Sequence, residues 1–376
     1  MSSSGKINVL VVPDLFPGYD GDVQGIFVRD YLTAVEPFCK VSVLFIRLTG
    51  AKKGLTVTQE GGATVYRYCF STTKIPFYLK PFYYWAWFRK GYALRRQIAK
   101  PDLVHAHGTI LSGTLACRLG KAWQVPAIIT EHQGPFTMIS DSFWKLAWAR
   151  RTMQRADAVL TVSDHLRKEI LASRIHPKTI HVTHNPVDTA LFAQKPDRTY
   201  RNILFASRLD VFKGGLRTLK AFQHMAEANP DWKLTMVGDG EEYGAIEAYM
   251  RQHPELQSRV YLKGKMTKAE IAREMAEADF FVFPSLHESF GLVVAEAMSC
   301  GLPVIATNKT APKEYISADS GILVPPEDVD AIAGAMQKMI QTHASYSASA
   351  IRGAVIERFG FENFGKKLNA IYQSLL

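Results

Sequence analysis

Cysteine is scarce: four in 376 residues, at Cys39, Cys69, Cys117 and Cys300, with no C-x-x-C pair. That excludes a disulfide scaffold and a cysteine zinc site, and fits a reducing cytoplasm. Long apolar runs are lacking as well. None approaches the ~18 residues that span a bilayer, and mean hydropathy is −0.05. The first apolar run, 7–12, is too short for a secretory h-region. There is no internal repeat and no low-complexity tract. Acid is short in one half only. Residues 1–190 hold 24 Lys and Arg against 13 Asp and Glu, and residues 191–376 hold 21 against 22. The two halves should therefore meet different partners, and only the first suits a polyanion or an anionic membrane surface.

What is present is a globular composition, 47% hydrophobic and 21% charged. Its length suits about two domains of roughly 150–200 residues. Short continuous apolar runs at 7–12, 41–46, 64–68, 103–105, 127–130, 158–162 and 180–183 alternate with helical stretches at 25–35, 111–123 and 164–172. Runs apolar on both faces predict parallel strands covered by helices. The second half repeats the rhythm at 203–206, 233–237, 260–262, 280–284, 304–306 and 322–324, with more helix from about 328 onward. The seam is polar and Pro-containing near 190–200. The sequence thus predicts an α/β chain of two doubly wound sheets, whose ligand crevices open at the C-terminal strand ends.

The most informative stretch runs from Phe280 to Ala306. It reads strand, loop, helix, glycine stop, strand, with Gly301 and Pro303 ending the helix. The helix begins near Gly291, so the N–H groups of Gly291, Leu292 and Val293 form an anion site at its positive end. Glu288 lies in the loop before it. Glu296 lies about one and a half turns inside. A phosphate could sit on the helix end, flanked by carboxylates that accept sugar hydroxyl protons.

The Glu288-x7-Glu296 pattern, with Phe290-Gly291 inside it and Gly301-Leu-Pro-Val after it, resembles the retaining glycosyltransferases of family 4. The resemblance extends to Val104-His-Ala-His107-Gly, Thr130-Glu-His132, Thr161-Val-Ser163, Asn185-Pro-Val-Asp188, Ala206-Ser-Arg208-Leu-Asp-Val-Phe-Lys213-Gly214, Met236-Val-Gly238-Asp-Gly240 and Ser320-Gly321. It implies the GT-B fold, two Rossmann-like domains facing a central cleft. Residues 1–190 would form an acceptor-binding domain and 191–358 a donor-binding domain, with 359–376 a terminal helix packing back on the first.

Several roles come with the resemblance. Glu296 would bind ribose hydroxyls, and Arg208 and Lys213 would neutralise the diphosphate leaving group, where developing charge needs positioned cations. Glu288 would hydrogen-bond the donor sugar, and the loop from Gly264 to Met266 would meet the nucleobase. His107 would approach the donor sugar, with Glu131 and His132 on the acceptor side. Gly25 would let the first loop come close to the phosphates; Gln24 stands where the family usually shows a further glycine. No cofactor and no metal are expected. The nucleotide sugar, UDP- or GDP-linked, is a substrate, and the acceptor would be a glycan or polyprenyl-linked.

Three patterns compete with this reading. Asp20-Gly-Asp22 and Asp328-Val-Asp330 resemble metal-binding pairs, but the second reads as first-turn helix acid. Gly238-Asp-Gly240-Glu-Glu-Tyr-Gly244 nearly matches the dinucleotide fingerprint with one residue too many; it leaves an NAD(P)-dependent oxidoreductase as the alternative, beside a non-catalytic sugar-nucleotide-binding protein. Ser163 reads as a helix cap.

Residues 74–100 interleave aromatics and cations, and a second such cluster lies at 143–155. They predict an interfacial segment, with Trp85, Trp87, Phe88 and Tyr92 at headgroup depth and Lys80, Arg89, Lys90, Arg95 and Arg96 on anionic lipid. No helix-turn-helix, zinc finger or RNP sequence accompanies them, so nucleic acid is not expected. The expected location is cytoplasmic, peripheral at the inner face of the cell membrane. The early text Asp14-Leu-Phe-Pro and Gln24-Gly-Ile-Phe-Val-Arg29 resembles bacterial members that build surface polysaccharide.

Overall fold

The computed structural model describes residues 6–17, 25–47, 54–70, 80–136, 142–194 and 200–376, with the backbone alone described at 80–83. The chain divides into two compact units. One comprises residues 1–186 and 361–376, the other 187–360.

In chain order the first unit carries strands β1 (Ile7–Pro13), β2 (Cys39–Arg47), β3 (Gly54–Glu60), β4 (Ala63–Cys69), β5 (Leu103–His107), β6 (Ala127–Glu131), β7 (Ala158–Thr161) and β8 (Ile180–Val182). Helices α1 (Ile26–Val35), α2 (Lys80–Leu94), α3 (Thr114–Trp123), α4 (Phe143–Arg155) and α5 (Asp164–Ala172) lie between them. The strands form one sheet in the order β3-β4-β2-β1-β5-β6-β7-β8. Every described pair is parallel except β3 with β4. The interior strands β5, β6 and β7 are buried along their whole length, which is why they read as continuous apolar runs.

The second unit carries β9 (Asn202–Ala206), β10 (Lys233–Val237), β11 (Val260–Leu262), β12 (Phe280–Phe283), β13 (Val304–Thr307) and β14 (Gly321–Val324). Its helices are α6 (Gly215–Ala226), α7 (Tyr243–Gln252), α8 (Lys268–Ala276), α9 (Leu292–Ser299), α10 (Val329–Thr342) and α11 (Ala348–Phe359). Its sheet is parallel throughout, in the order β11-β10-β9-β12-β13-β14. The winding starts at β9, runs outward through β10 and β11, then reverses at β12. The crevice of such a sheet lies where the winding reverses, outside the carboxyl ends of β9 and β12.

The last helix, α12 (Phe361–Leu375), belongs to the first unit. Its Phe364, Leu368 and Tyr372 are each 1% exposed and join Val9, Val11, Tyr31 and Val35 in that unit's core.

Two sequence expectations need correction. The hairpin of β3 and β4 turns on Gly61-Gly62, and β3 is a half-exposed polar edge strand. It has no apolar run, so the continuous-run criterion misses it. Trp87 and Phe88 are not at a headgroup surface: they are 3% and 7% exposed, and the Trp87 indole donates to Ile46 O at 3.2 Å. Residues 74–79 of the basic stretch, like Asp20, Asp22 and Gln24, lie outside the described residues.

Candidate active site

The loop after β9 is shaped by Asp210. Its Oδ1 accepts the N–H groups of Phe212 and Lys213 at 3.1 Å each. Its Oδ2 accepts the Arg208 Nε–H at 2.7 Å, and the Arg208 side chain is otherwise 74% exposed. The loop then closes on Gly214, which adopts φ 84° before α6. A Cβ there would lie 2.7 Å from Pro284 O, so only glycine lets the two loops meet.

The loop after β12 docks on the first. Leu286 N–H donates to Phe212 O at 2.7 Å, and the Ser285 hydroxyl lies 3.2 Å from the same oxygen. Arg217, on α6, donates to Val211 O at 2.9 Å and to Pro284 O at 3.2 Å, one carbonyl from each loop. This clamp brings Lys213 Nζ to 2.5 Å from Glu288 Oε1, with the two side chains 23% and 12% exposed.

Glu288 is followed by Gly291, which adopts φ 82° and caps α9. The Tyr315 hydroxyl sits 2.9 Å from Phe290 O and 3.0 Å from Gly291 O. Val294 N–H bonds back to Gly291 O, so Leu292 and Val293 present the first N–H groups of the helix, which have no acceptor within it. Cation, carboxylate and positive helix end thus stand together at the carboxyl ends of β9 and β12.

Glu296 is 7% exposed, and its Oε1 lies 3.4 Å from Lys268 Nζ. Lys268 opens α8 behind a capping box made by Thr267 and Glu270. That helix follows the loop containing Gly264, at φ 67°, and half-buried Met266. The Gly264 carbonyl accepts Gly238 N–H at 2.8 Å. The expected ribose carboxylate and nucleobase loop are therefore linked through a lysine that sequence reading did not single out. The structure brings Lys213 to Glu288 and Glu296 to the 264–268 segment, while Arg208 turns to Asp210. Asp210, Arg217 and Lys268 were all missed. Only Asp210 left a local signal, an Asp two residues before the loop N–H it caps.

In the first unit the corresponding reversal lies between β1 and β5. Asp14 follows β1, and its Oδ1 accepts from the Ser112 N–H at 3.0 Å and from the Ser112 hydroxyl. His107 ends β5, its Nδ1 2.9 Å from His132 Nε2, and the two rings stack at 5.2 Å. Glu131, ending β6, accepts the N–H groups of His132 and Gln133 at 2.9 and 2.8 Å and the Thr109 hydroxyl. Its carboxylate is engaged in folding its own loop. Gly25 adopts φ 74°, and a Cβ there would lie 2.4 Å from the Leu15 carbonyl carbon. The chain's own backbone therefore demands that glycine.

Behind His107, buried His105 lies 2.7 Å from both the Tyr372 hydroxyl and the Thr130 hydroxyl. Burial lowers the basicity of all three imidazoles: His105 and His132 to about 3 each, and His107 well below its ordinary value, with its histidine neighbours adding to the effect. Burial pushes Asp14 and Glu131 the other way, upward. An unfolded imidazole takes its proton near pH ~6.5. Below that the unfolded chain binds more protons than the native one, so each histidine costs stability as pH falls from about 6.5 toward about 3, by about 1.4 kcal/mol per pH unit. Urea unfolding of His105→Asn against wild type across that window should show the slope flattened by about this amount. Equal slopes would show that His105 is not held neutral.

The competing patterns resolve locally. Asp328 caps α10, accepting Ala331 N–H at 2.9 Å, and Asp330 pairs with His224 at 3.0 Å. Among the described residues no group of three or more His, Cys, Asp and Glu is arranged to hold a metal ion. Ser163 caps α5, accepting Leu166 N–H at 3.0 Å. The near-fingerprint follows β10, the second strand of its unit. A Cβ on Gly238 would lie 1.8 Å from Ser207 O, so that glycine serves the packing of the β9 and β10 loops.

Known proteins share this sequence pattern and fold. The profile described as "Glycosyltransferase Family 4" matches residues 45–191, and that described as "Glycosyl transferases group 1" matches residues 200–342. The chain is 28% identical over 260 residues to the GDP-mannose:cellobiosyl-diphosphopolyprenol alpha-mannosyltransferase of Xanthomonas campestris, covering 67% of this chain and 68% of that one. It is 28% identical over 230 residues to the lipopolysaccharide 1,6-galactosyltransferase of Salmonella typhimurium, covering 58% of this chain and 62% of that one. Sucrose-phosphate synthase from Thermosynechococcus elongatus superposes with a TM-score of 0.81 at 22% identity over 98% of this chain and 99% of that one. Anabaena Alr3699/HepE in complex with UDP superposes with a TM-score of 0.75 at 19% identity over 98% and 100%. The two Rossmann-like units have the GT-B fold, and the profile matches and relatives make the chain a glycosyltransferase that acts on nucleotide sugars. The chain belongs to glycosyltransferase family 4.

Proposed function

We propose that this protein transfers a sugar from a UDP- or GDP-sugar to a glycan or polyprenyl-linked acceptor, with retention and without a metal, in bacterial cell-surface polysaccharide synthesis at the cytoplasmic face of the membrane. The observation that carries the reading is the Lys213–Glu288 pair beside the amino end of α9. A diphosphate there meets N–H groups at the positive helix end and exchanges with Glu288 for the lysine ammonium. Arg208, exposed and held at one edge by Asp210 of the same loop as Lys213, adds a second positive charge in this reading.

Glu296 binds the ribose in this reading, and Glu288, released from Lys213, accepts from donor-sugar hydroxyls. The backbone from Gly264 to Met266 meets the base. His107, neutral at physiological pH, offers a sugar hydroxyl a hydrogen bond without charge, and His132 fixes its ring. The bond from the anomeric carbon to the phosphate oxygen breaks, and one to the acceptor oxygen forms on the same face. The acceptor proton passes to the departing phosphate. The carboxylates need not stand astride the bond, as a double-displacement glycosidase requires at ~5 Å. The names of the Xanthomonas and Salmonella relatives, a diphosphopolyprenol mannosyltransferase and a lipopolysaccharide galactosyltransferase, support the acceptor class.

The test is a panel of nucleotide sugars with polyprenyl-linked glycan acceptors, run with chelator present and the product anomer read by NMR. The reading predicts a retained anomer at full rate in chelator. An inverted product, or turnover that stops in chelator, contradicts it. Nucleotide binding with no turnover would point to a sugar-nucleotide-binding protein.

A further inference from the structure

The helices α2 and α4 present matching exposed stripes. On α2 the exposed residues Trp85, Arg89 and Ala93 recur every fourth position, with Arg96 just past its end. On α4 they are Trp144, Ala147, Arg151 and Arg155, with Phe143 beside the first and Gln154 beside the last. The same helices bury Trp87, Phe88 and Leu94 on one side, and Ala149, Thr152 and Met153 on the other. Spacing of three and four makes each stripe a single face. Neither helix contains an Asp or a Glu.

Both stripes run in the same order, aromatic at the amino end and cationic beyond it. The aromatic ends are brought together by Trp148, whose ring lies 6.4 Å from Tyr84, 6.0 Å from Phe88 and 6.2 Å from Trp144. Trp85, Trp144 and Phe143 are nonetheless 52%, 56% and 88% exposed. Cations sit over the exposed indoles: Arg89 over Trp85 at 5.2 Å and Lys145 over Trp144 at 5.9 Å. Single exposed apolar residues need no explanation, but grouped large ones rimmed by one sign of charge do.

We propose that this face docks the first unit on anionic lipid. Trp85, Phe143 and Trp144 enter the headgroup–acyl boundary, and Arg89, Arg96, Arg151 and Arg155 lie on lipid phosphates. Large exposed apolar residues at the amino ends, rimmed by cations with no acid on either helix, suit an anionic headgroup boundary rather than a nucleic-acid strand. Phe143, the most exposed, has no polar handle to favour water or a base edge. The inference deepens the proposed function, resting on it only for the purpose of the docking, which is to bring the chain to a lipid-borne acceptor.

The experiment is sedimentation of the full chain with vesicles of phosphatidylcholine and of phosphatidylcholine mixed with phosphatidylglycerol, at low and high salt. Wild type should bind the mixed vesicles and be released by salt. Trp85→Ala/Phe143→Ala/Trp144→Ala and Arg89→Glu/Arg151→Glu, which change only exposed positions, should each lower the partition coefficient by at least about tenfold. The calorimetric transition of the first unit should be unchanged in both variants, showing an intact fold. Wild type that ignores anionic vesicles at low salt overturns the inference, as do variants that partition like wild type or tighter binding to single-stranded DNA than to vesicles. Loss of nucleotide binding in wild type would defeat the proposed function and leave the vesicle result standing.

Discussion

Replacing Lys213 with alanine should lower sugar transfer by at least about a thousandfold while the chain stays folded. One missing charge-stabilising donor in an active site costs about 10²–10³ in kcat. Here the loss is compounded. Without the ammonium 2.5 Å away, the largely buried Glu288 carboxylate stands uncompensated where the diphosphate must develop charge. The local fold does not depend on that ammonium, because Asp210 shapes the β9 loop and the Phe212–Leu286 bond holds the β12 loop to it. Removing the offending charge as well, in Lys213→Ala/Glu288→Gln, should recover part of the loss, since the two residues are in contact and their effects are not additive. Steady-state rates and a thermal midpoint for each variant decide the matter. Normal turnover by Lys213→Ala would defeat the site assignment. Glu296→Ala should also abolish transfer, and the ribose role proposed for it predicts weaker nucleotide binding.

Truncation after Gly360 should unfold the first unit and spare the second. Helix α12 contributes three side chains that are each 1% exposed, Phe364, Leu368 and Tyr372. Emptying such positions costs about 2–5 kcal/mol apiece, and a whole domain is stable by only about 5–15 kcal/mol. The Tyr372 hydroxyl also leaves His105, so a buried imidazole loses one of its two partners. Calorimetry should lose the transition of the first unit and keep that of the second, which has its own core. A point variant gives the same result more gently. A Cβ on Gly365 would lie 2.0 Å from Ala34 O, so Gly365→Val should force α12 off α1. A truncated chain with both transitions unchanged would contradict the role given to α12.

The parallel strands were legible because burial on both faces leaves mostly apolar residues in them. The edge strand β3 was not, since half of it faces water, although Gly61-Gly62 marked its turn. The stretch from Glu288 to Glu296 was legible because strand, loop and helix lie side by side in sequence. Its partners were not: Lys268 reaches Glu296, and Lys213 reaches Glu288, only through the sheet that sets β9 beside β12. In the basic stretch, interleaved aromatics and cations read alike on every side. Helical spacing separates them, with Trp87 and Phe88 inward and Trp85 and Arg89 outward. Gly25 was expected beside a ligand, and its packing against Leu15, which leaves no room for a Cβ, could not be read from the sequence.

The most direct measurement is equilibrium titration of UDP and GDP into wild type and Lys213→Ala, each followed by thermal melting. The account predicts that one of the two nucleotides binds wild type and, at a hundredfold excess over Kd, stabilises it by about 2.7 kcal/mol. It predicts that Lys213→Ala binds that nucleotide far more weakly. Wild type that binds neither nucleotide, or that binds only NAD, or a variant that binds as well as wild type, would contradict a diphosphate site at the amino end of α9.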